Sequence, residues 1–132
     1  MKINKFGIGL VITIFCMGCA TTSTIRHAKG TGKSEVFNYP YGRVFDSAVD
    51  AIRDHTMEII EKDRTSGTII AKKGISAWSW GERVGVYFYK IDEAHTKVEV
   101  ISKLVSELDR PFGAKNWTDT IFLEMQKNLE KK

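Results

Sequence analysis

The chain has 132 residues, the length of one ordinary domain, and its 42% hydrophobic content is sufficient for a buried core. Its formal charge is +4, and no run of like charges exceeds two residues. This distribution argues against the clustered basic stripe of a nucleic-acid-binding protein and against a polybasic segment that binds lipid headgroups.

The first eighteen residues have the pattern of a secretory signal peptide. Lys2 and Lys5 are the only charges before Arg26, and residues 6–18 form an uncharged, mostly apolar run. This run is shorter than the roughly 17–25 residues of a membrane-spanning helix. We predict removal of residues 1–18, which lowers the formal charge to +2 because the segment holds two lysines and no acidic residue.

The residues around the predicted cut are Gly18-Cys19-Ala20, and they resemble the lipobox of bacterial lipoproteins. The resemblance implies cleavage before Cys19, lipid attachment to its thiol and acylation of its new amino end. Several acyl chains hold a protein stably on a membrane. Because Ala20 is not the Asp that marks inner-membrane retention, the resemblance implies the periplasmic leaflet of the outer membrane. The alternative is a cut by ordinary signal peptidase that leaves a soluble secreted protein.

Residues 19–34 are predicted to be the lipidated end and a flexible tether. They are small and polar, with Ile25 as the one large apolar side chain. Fully extended, such a segment reaches about 50 Å. A single domain is predicted over residues 35–132.

The domain begins with a predicted strand at residues 35–39 and a helix at residues 40–55. The helix is predicted from one apolar stripe at helical spacing, formed by Val44, Phe45, Ala48, Val49 and Ile52.

Four further strands and a second helix follow. A strand starting at Met57 ends at a turn over residues 63–67, and the returning strand covers residues 68–72. Residues 83–91 and 97–104 alternate between apolar and polar side chains, and residues 106–115 are a connector. Residues 117–131 form the closing helix, with Asn116 or Thr118 as its cap.

The predicted order is therefore β-α-β-β-β-β-α. An antiparallel sheet of about five strands with one apolar face can bury two amphipathic helices on that face. The fold class is α+β, a two-layer sandwich of the helix-grip kind.

Several segments of this domain carry a resemblance to known proteins: Tyr39–Val49, Gly67–Ala71, Thr96–Val100 and a closing helix after Phe112-Gly113. Together with the lipobox and polar tether, they are similar to a family of small uncharacterised bacterial lipoproteins. They resemble, more remotely, the helix-grip domains of the BamC lipoprotein of the outer-membrane β-barrel assembly machinery. The resemblance implies a fold and no catalytic residue.

Known catalytic patterns are not matched. The segment Gly30–Ser34 suggests a phosphate loop, but residue 27 is His instead of Gly and no strand precedes it. The three histidines lack metal-site spacing. Asp46, Asp50 and Asp54 indicate a solvated helix face rather than a pair of acid–base carboxylates. We predict a chain that is not an enzyme and holds no cofactor or metal.

Exposed aromatic side chains are the remaining candidates for a site. Trp78 and Trp80 share one face of an extended segment, and Tyr87 and Tyr89 lie opposite Val84, Val86 and Phe88. Tryptophan and tyrosine are common anchors of interfaces, although ordinary β propensity also places them on sheets. We interpret these four residues as a contact surface for a protein partner.

Two functions are therefore considered. The first is a membrane-tethered, non-enzymatic interaction or accessory module whose partner is an envelope protein or complex. The second is a carrier of lipid or another small hydrophobic ligand, held in a cavity between the sheet and the last helix. The side chains that would line this cavity are Trp117, Ile121, Met125, Val84, Val86, Phe88 and Val100.

Overall fold

A computed structural model describes residues 20–74, 81–104 and 116–131 of the chain. The predicted signal peptide, Cys19, Trp78, Trp80 and the connector lie outside these residues. The described elements, in chain order, are α1 (Ala20–His27), β1 (Lys33–Phe37), α2 (Tyr41–Asp54), β2 (Glu58–Asp63), β3 (Thr68–Lys73), β4 (Glu82–Lys90), β5 (Thr96–Leu104) and α3 (Trp117–Glu130).

The five strands form one antiparallel sheet with the order β1-β5-β4-β3-β2. The consecutive strands β1 and β2 lie at opposite edges, so α2 carries the chain across the sheet between them. The other connections join neighbouring strands. At the β2–β3 turn, the Asp63 carboxylate accepts hydrogen bonds from the backbone N–H groups of Thr65 and Ser66, as the turn residues predict.

The inner face of the sheet packs against α2 and α3. All five residues of the predicted α2 stripe are buried, and Trp117, Ile121, Phe122, Met125 and Leu129 are the buried apolar residues of α3. These side chains form one cluster with Val84, Val86, Phe88, Val98 and Val100 of the sheet. The Asn116 side chain accepts a hydrogen bond from the Thr118 N–H at 3.0 Å and caps α3. The α+β class, the five-stranded antiparallel sheet and the two helices on one of its faces, all predicted from the sequence, are confirmed.

A third helix, α1, packs on the opposite face of the sheet. The prediction of a flexible tether is therefore wrong for residues 20–27, and β1 begins at Lys33 instead of Glu35. Ile25 is fully buried in a second cluster with Ile70, Tyr87 and Ile101. The physical reason is that burial of one large apolar side chain orders a segment whose composition alone is typical of a linker.

Candidate functional site: the outer face of the sheet under α1

The structure describes two of the four aromatic residues predicted as a contact surface. Trp78 and Trp80 lie outside the described residues. Tyr87 is only 2% exposed, so its interpretation as an exposed contact residue is wrong. Tyr89 is half-buried and packs at the edge of the same cluster. The sequence places both tyrosines on the correct face of the sheet, but α1 covers that face.

A close fit between Ile25 and Gly85 seats α1 on the sheet. A Cβ atom at Gly85 would lie 2.6 Å from Ile25 Cγ2, which is too short for a real contact, and 3.1 Å from Tyr87 Cε2, which is tighter than most contacts. Gly85 is therefore the gap in β4 that receives Ile25. A glycine in the interior of a strand often marks such a close approach, and this was the signal in the sequence that could have located α1.

Polar contacts join α1 and the residues that follow it to the sheet near Ile25. The Tyr87 hydroxyl donates a hydrogen bond to the Ile25 carbonyl at 3.1 Å. After the helix, the Gly30 N–H donates to Glu99 Oε1 at 2.8 Å, and Glu99 is itself buried. Arg26 pairs with Glu61 on β2. The first two bonds give the buried Tyr87 hydroxyl and Glu99 carboxylate the partners they require, whereas the Arg26–Glu61 pair lies at the surface.

Gly32 lies in the segment that connects α1 to the edge strand β1. A Cβ atom at Gly32 would lie 2.5 Å from Ile101 Cγ1 and 2.6 Å from the Val100 carbonyl oxygen. Only glycine allows the backbone to run this close to β5. Residues 25–32 are therefore held along their length, and β1 follows without a flexible interval.

Lysine ammonium groups lie over the two tyrosine rings. Lys29 Nζ is 5.2 Å from the centre of the Tyr87 ring and 5.5 Å from that of Tyr89. Lys97 Nζ approaches the Tyr89 ring at 5.4 Å. These distances are within the range of cation–π attraction, so both rings contribute to holding the end of α1.

Burial raises the pKa of the Tyr87 phenol above its ordinary value, and the nearby Glu99 carboxylate adds to the shift. The pKa of Tyr89 is raised by the same two causes, with burial first. Both phenols are therefore neutral hydrogen-bonding groups at physiological pH. This surface offers no ionised phenolate for chemistry.

The side chains expected to line a ligand cavity pack against one another. Ile121, Met125, Val84 and Val86 have no solvent-accessible surface, so no water-sized space adjoins them. The carrier hypothesis would therefore require the sheet and α3 to separate. A pocket of about 110 Å³ lies between α2 and α3 instead, below the roughly 300–1,000 Å³ of small-molecule sites.

Two further features concern only the described residues. Among them, no group of three or more His, Cys, Asp or Glu side chains is placed to hold a metal ion. Within the same ranges, no helix has both the length and the apolar composition needed to cross a bilayer.

Replacement of Gly85 by alanine should displace α1. The added methyl group has no space beside Ile25, and overpacking of this kind costs about 1–3 kcal/mol. We expect Gly85→Ala to make Arg26 and Lys29 accessible to trypsin under conditions in which the wild-type segment resists cleavage. Gly42→Ala is the matched control, because its Cβ would meet only Arg64 Nη1, at 3.6 Å. Equal cleavage of the two variants would contradict the fit described above.

Alkaline pH should release α1 through Tyr87. The pKa of this phenol is raised in the folded state. The protonated hydroxyl therefore makes its full contribution to stability below about pH 10, and this contribution is lost as the pH rises through the pKa of the folded state. We expect the Ile25 methyl resonance to shift toward its undocked position above about pH 10. Tyr87→Phe should abolish this transition and Tyr89→Phe should retain it. An Ile25 resonance that moves only when the whole chain unfolds would refute this role.

Comparisons with known proteins give no family for the chain. No family model matches it, and no curated protein matches it. Solved structures with some similarity include Ara h 8.0201, at 12% identity and a TM-score of 0.46, covering 76% of this chain and 96% of that chain. The adenylate sensor of AMP-activated protein kinase in complex with ZMP has 11% identity and a TM-score of 0.43, with 76% and 96% coverage. TTHA0849 from Thermus thermophilus has 8% identity and a TM-score of 0.41, with 75% and 95% coverage. At these identities and scores, the similarities carry no information about function.

Proposed function

We propose that the chain is a bacterial envelope lipoprotein, acylated at Cys19, whose domain is a non-enzymatic interaction or accessory module. The sequence around Gly18-Cys19-Ala20 supports the anchor. The observation that carries the rest is the position of α1: the segment Ala20–His27, which follows Cys19 in the sequence, is a helix held on the sheet by the buried Ile25. The anchor and the folded domain are then continuous.

This continuity makes the domain a membrane-proximal module. From Ala20 to Ile25 the helix advances about 7.5 Å, compared with the roughly 50 Å reach of an extended tether over residues 19–34. Ile25 is fully buried against the sheet. With acyl chains on Cys19, the domain lies against the bilayer surface, and its partners are components at or near that surface.

The proposed location is the periplasmic leaflet of the outer membrane, on the basis of Ala20. Trp78 and Trp80 are the proposed contact residues for an envelope protein. Tyr87 is excluded from this surface by its burial under α1, and Tyr89 is only partly exposed.

Acylation is tested by metabolic labelling with palmitate in cells that express the full chain. We expect label in the wild type and its loss in Cys19→Ala, together with a shift of the protein from the membrane to the soluble fraction. Cys16→Ala is the matched control, because Cys16 lies in the predicted signal peptide and its loss should leave labelling intact. Label that persists in Cys19→Ala would overturn the anchor.

The contact surface is tested by crosslinking in living cells. We expect Trp78→Ala combined with Trp80→Ala to remove crosslinks to an envelope protein, because large aromatic side chains carry much of the binding energy of an interface. Leu123→Ala is the control, since Leu123 is an exposed apolar residue on α3. Crosslinks that survive the double substitution unchanged would exclude this surface.

A further inference from the structure

A row of three cations crosses the outer face of the sheet at one end. Lys72 lies opposite Arg83, and Arg83 lies opposite Lys103, on the neighbouring strands β3, β4 and β5. Opposed residues of antiparallel strands share a face, and the three strands span about 10 Å. The residues are distant in sequence, so only the register of the sheet brings them together.

The row is only partly neutralised within the described part of the chain. Lys72 Nζ pairs with Glu58 at 3.0 Å. Arg83 Nη1 donates to the Glu82 carbonyl at 3.4 Å, while Arg83 Nε is buried without a described acceptor. Lys103 is exposed. Like charges placed directly opposite one another are destabilising, so the three cations and Glu58 form a surface of net charge +2 that favours an external anion.

The direction of α1 places the N-terminal end of the helix on the same side of Gly85 as this row. Ile25 packs at Gly85, and four residues later Lys29 lies over the rings of Tyr87 and Tyr89. Gly30 then reaches Glu99, which lies opposite Tyr87, so the helix advances in the same direction as β4 and its N-terminal end lies on the Arg83 side of Gly85. The distances agree, because Ala20 precedes Ile25 by about 7.5 Å and Arg83 precedes Gly85 by about 7 Å.

We propose that Lys72, Arg83 and Lys103 contact the anionic headgroups of the leaflet that holds the acyl chains of Cys19. The proposal rests on the acylation proposed above. Negatively charged headgroups attract basic side chains that lie within about one Debye length of the surface. The anchor would bring the row within this distance, and the row would fix the orientation of the domain. The opposite end of the sheet, with Asp92 and Glu93 in the β4–β5 hairpin, would face away from the bilayer.

The orientation is tested with the acylated full chain, purified and reconstituted into vesicles of phosphatidylethanolamine and phosphatidylglycerol. A fluorophore is attached to a single introduced cysteine, since the thiol of Cys19 is blocked by lipid. A label on Gly74→Cys reports on the end of the sheet near the cation row. A side chain is tolerated there, because a Cβ atom at residue 74 would have no other atom within 4 Å. Glu93→Cys reports the opposite end, about 27 Å away along β4. With nitroxide-labelled headgroups, we expect strong quenching at residue 74 and little at residue 93.

Charge reversal distinguishes the effect of the cation row on orientation from the effect of the lipid anchor. Each cation near an anionic surface contributes about a fivefold shift in the binding equilibrium. Lys103→Glu should therefore lower the headgroup-bound population by at least about fivefold. Lys90→Glu is the matched control, because Lys90 is an exposed residue at the opposite end of β4. Vesicles of phosphatidylcholine alone should have the same effect as Lys103→Glu.

Each outcome decides the proposal. Equal quenching at residues 74 and 93 would overturn the orientation. Stronger quenching at residue 74 that does not change with Lys103→Glu or with lipid charge would overturn the headgroup contact. Mass spectrometry of the purified protein reports acylation separately. An unmodified Cys19 would overturn the proposed function, and this inference with it.

Discussion

The contact between Ile25 and Gly85 is the constraint on which the arrangement of the outer face depends. It exists because one strand residue lacks a side chain and one helix residue is large and apolar. Burial of an isoleucine side chain is worth about 1.5–3 kcal/mol. That gain holds α1 on β4, brings the Ile25 carbonyl to the Tyr87 hydroxyl and places Gly30 beside Glu99. Without it, residues 20–32 would be a linker.

The two faces of the sheet are stabilised to very different degrees. Among the described residues, the inner cluster has twenty buried members, drawn from α2, α3 and the strands beneath them, whereas the outer cluster has four. Segments with few buried apolar contacts open at low free energy. The outer face is thus the part of the molecule that a local change, such as ionisation of Tyr87 or a methyl group at Gly85, can alter while the inner core stays folded.

The sequence predicts the inner layer because many residues repeat the same signal. The α2 stripe, the α3 residues at intervals of four and the alternation of Val84, Val86 and Phe88 agree with one another, and the structure confirms them. The outer layer depends on the single residue Ile25, which creates no periodicity. The cation row depends on strand register, which links residues 72, 83 and 103 only after the sheet has formed.

In this structure, residues 20–32 are docked on the sheet and do not form a free tether. Nuclear Overhauser contacts measure this most directly, between the Ile25 methyl groups and both the Gly85 α-protons and the Tyr87 ring in the acylated protein. We expect strong cross-peaks for both pairs, since a Cβ at Gly85 would lie only 2.6 Å from Ile25 Cγ2. Absence of these cross-peaks, with random-coil shifts for residues 20–32, would contradict it.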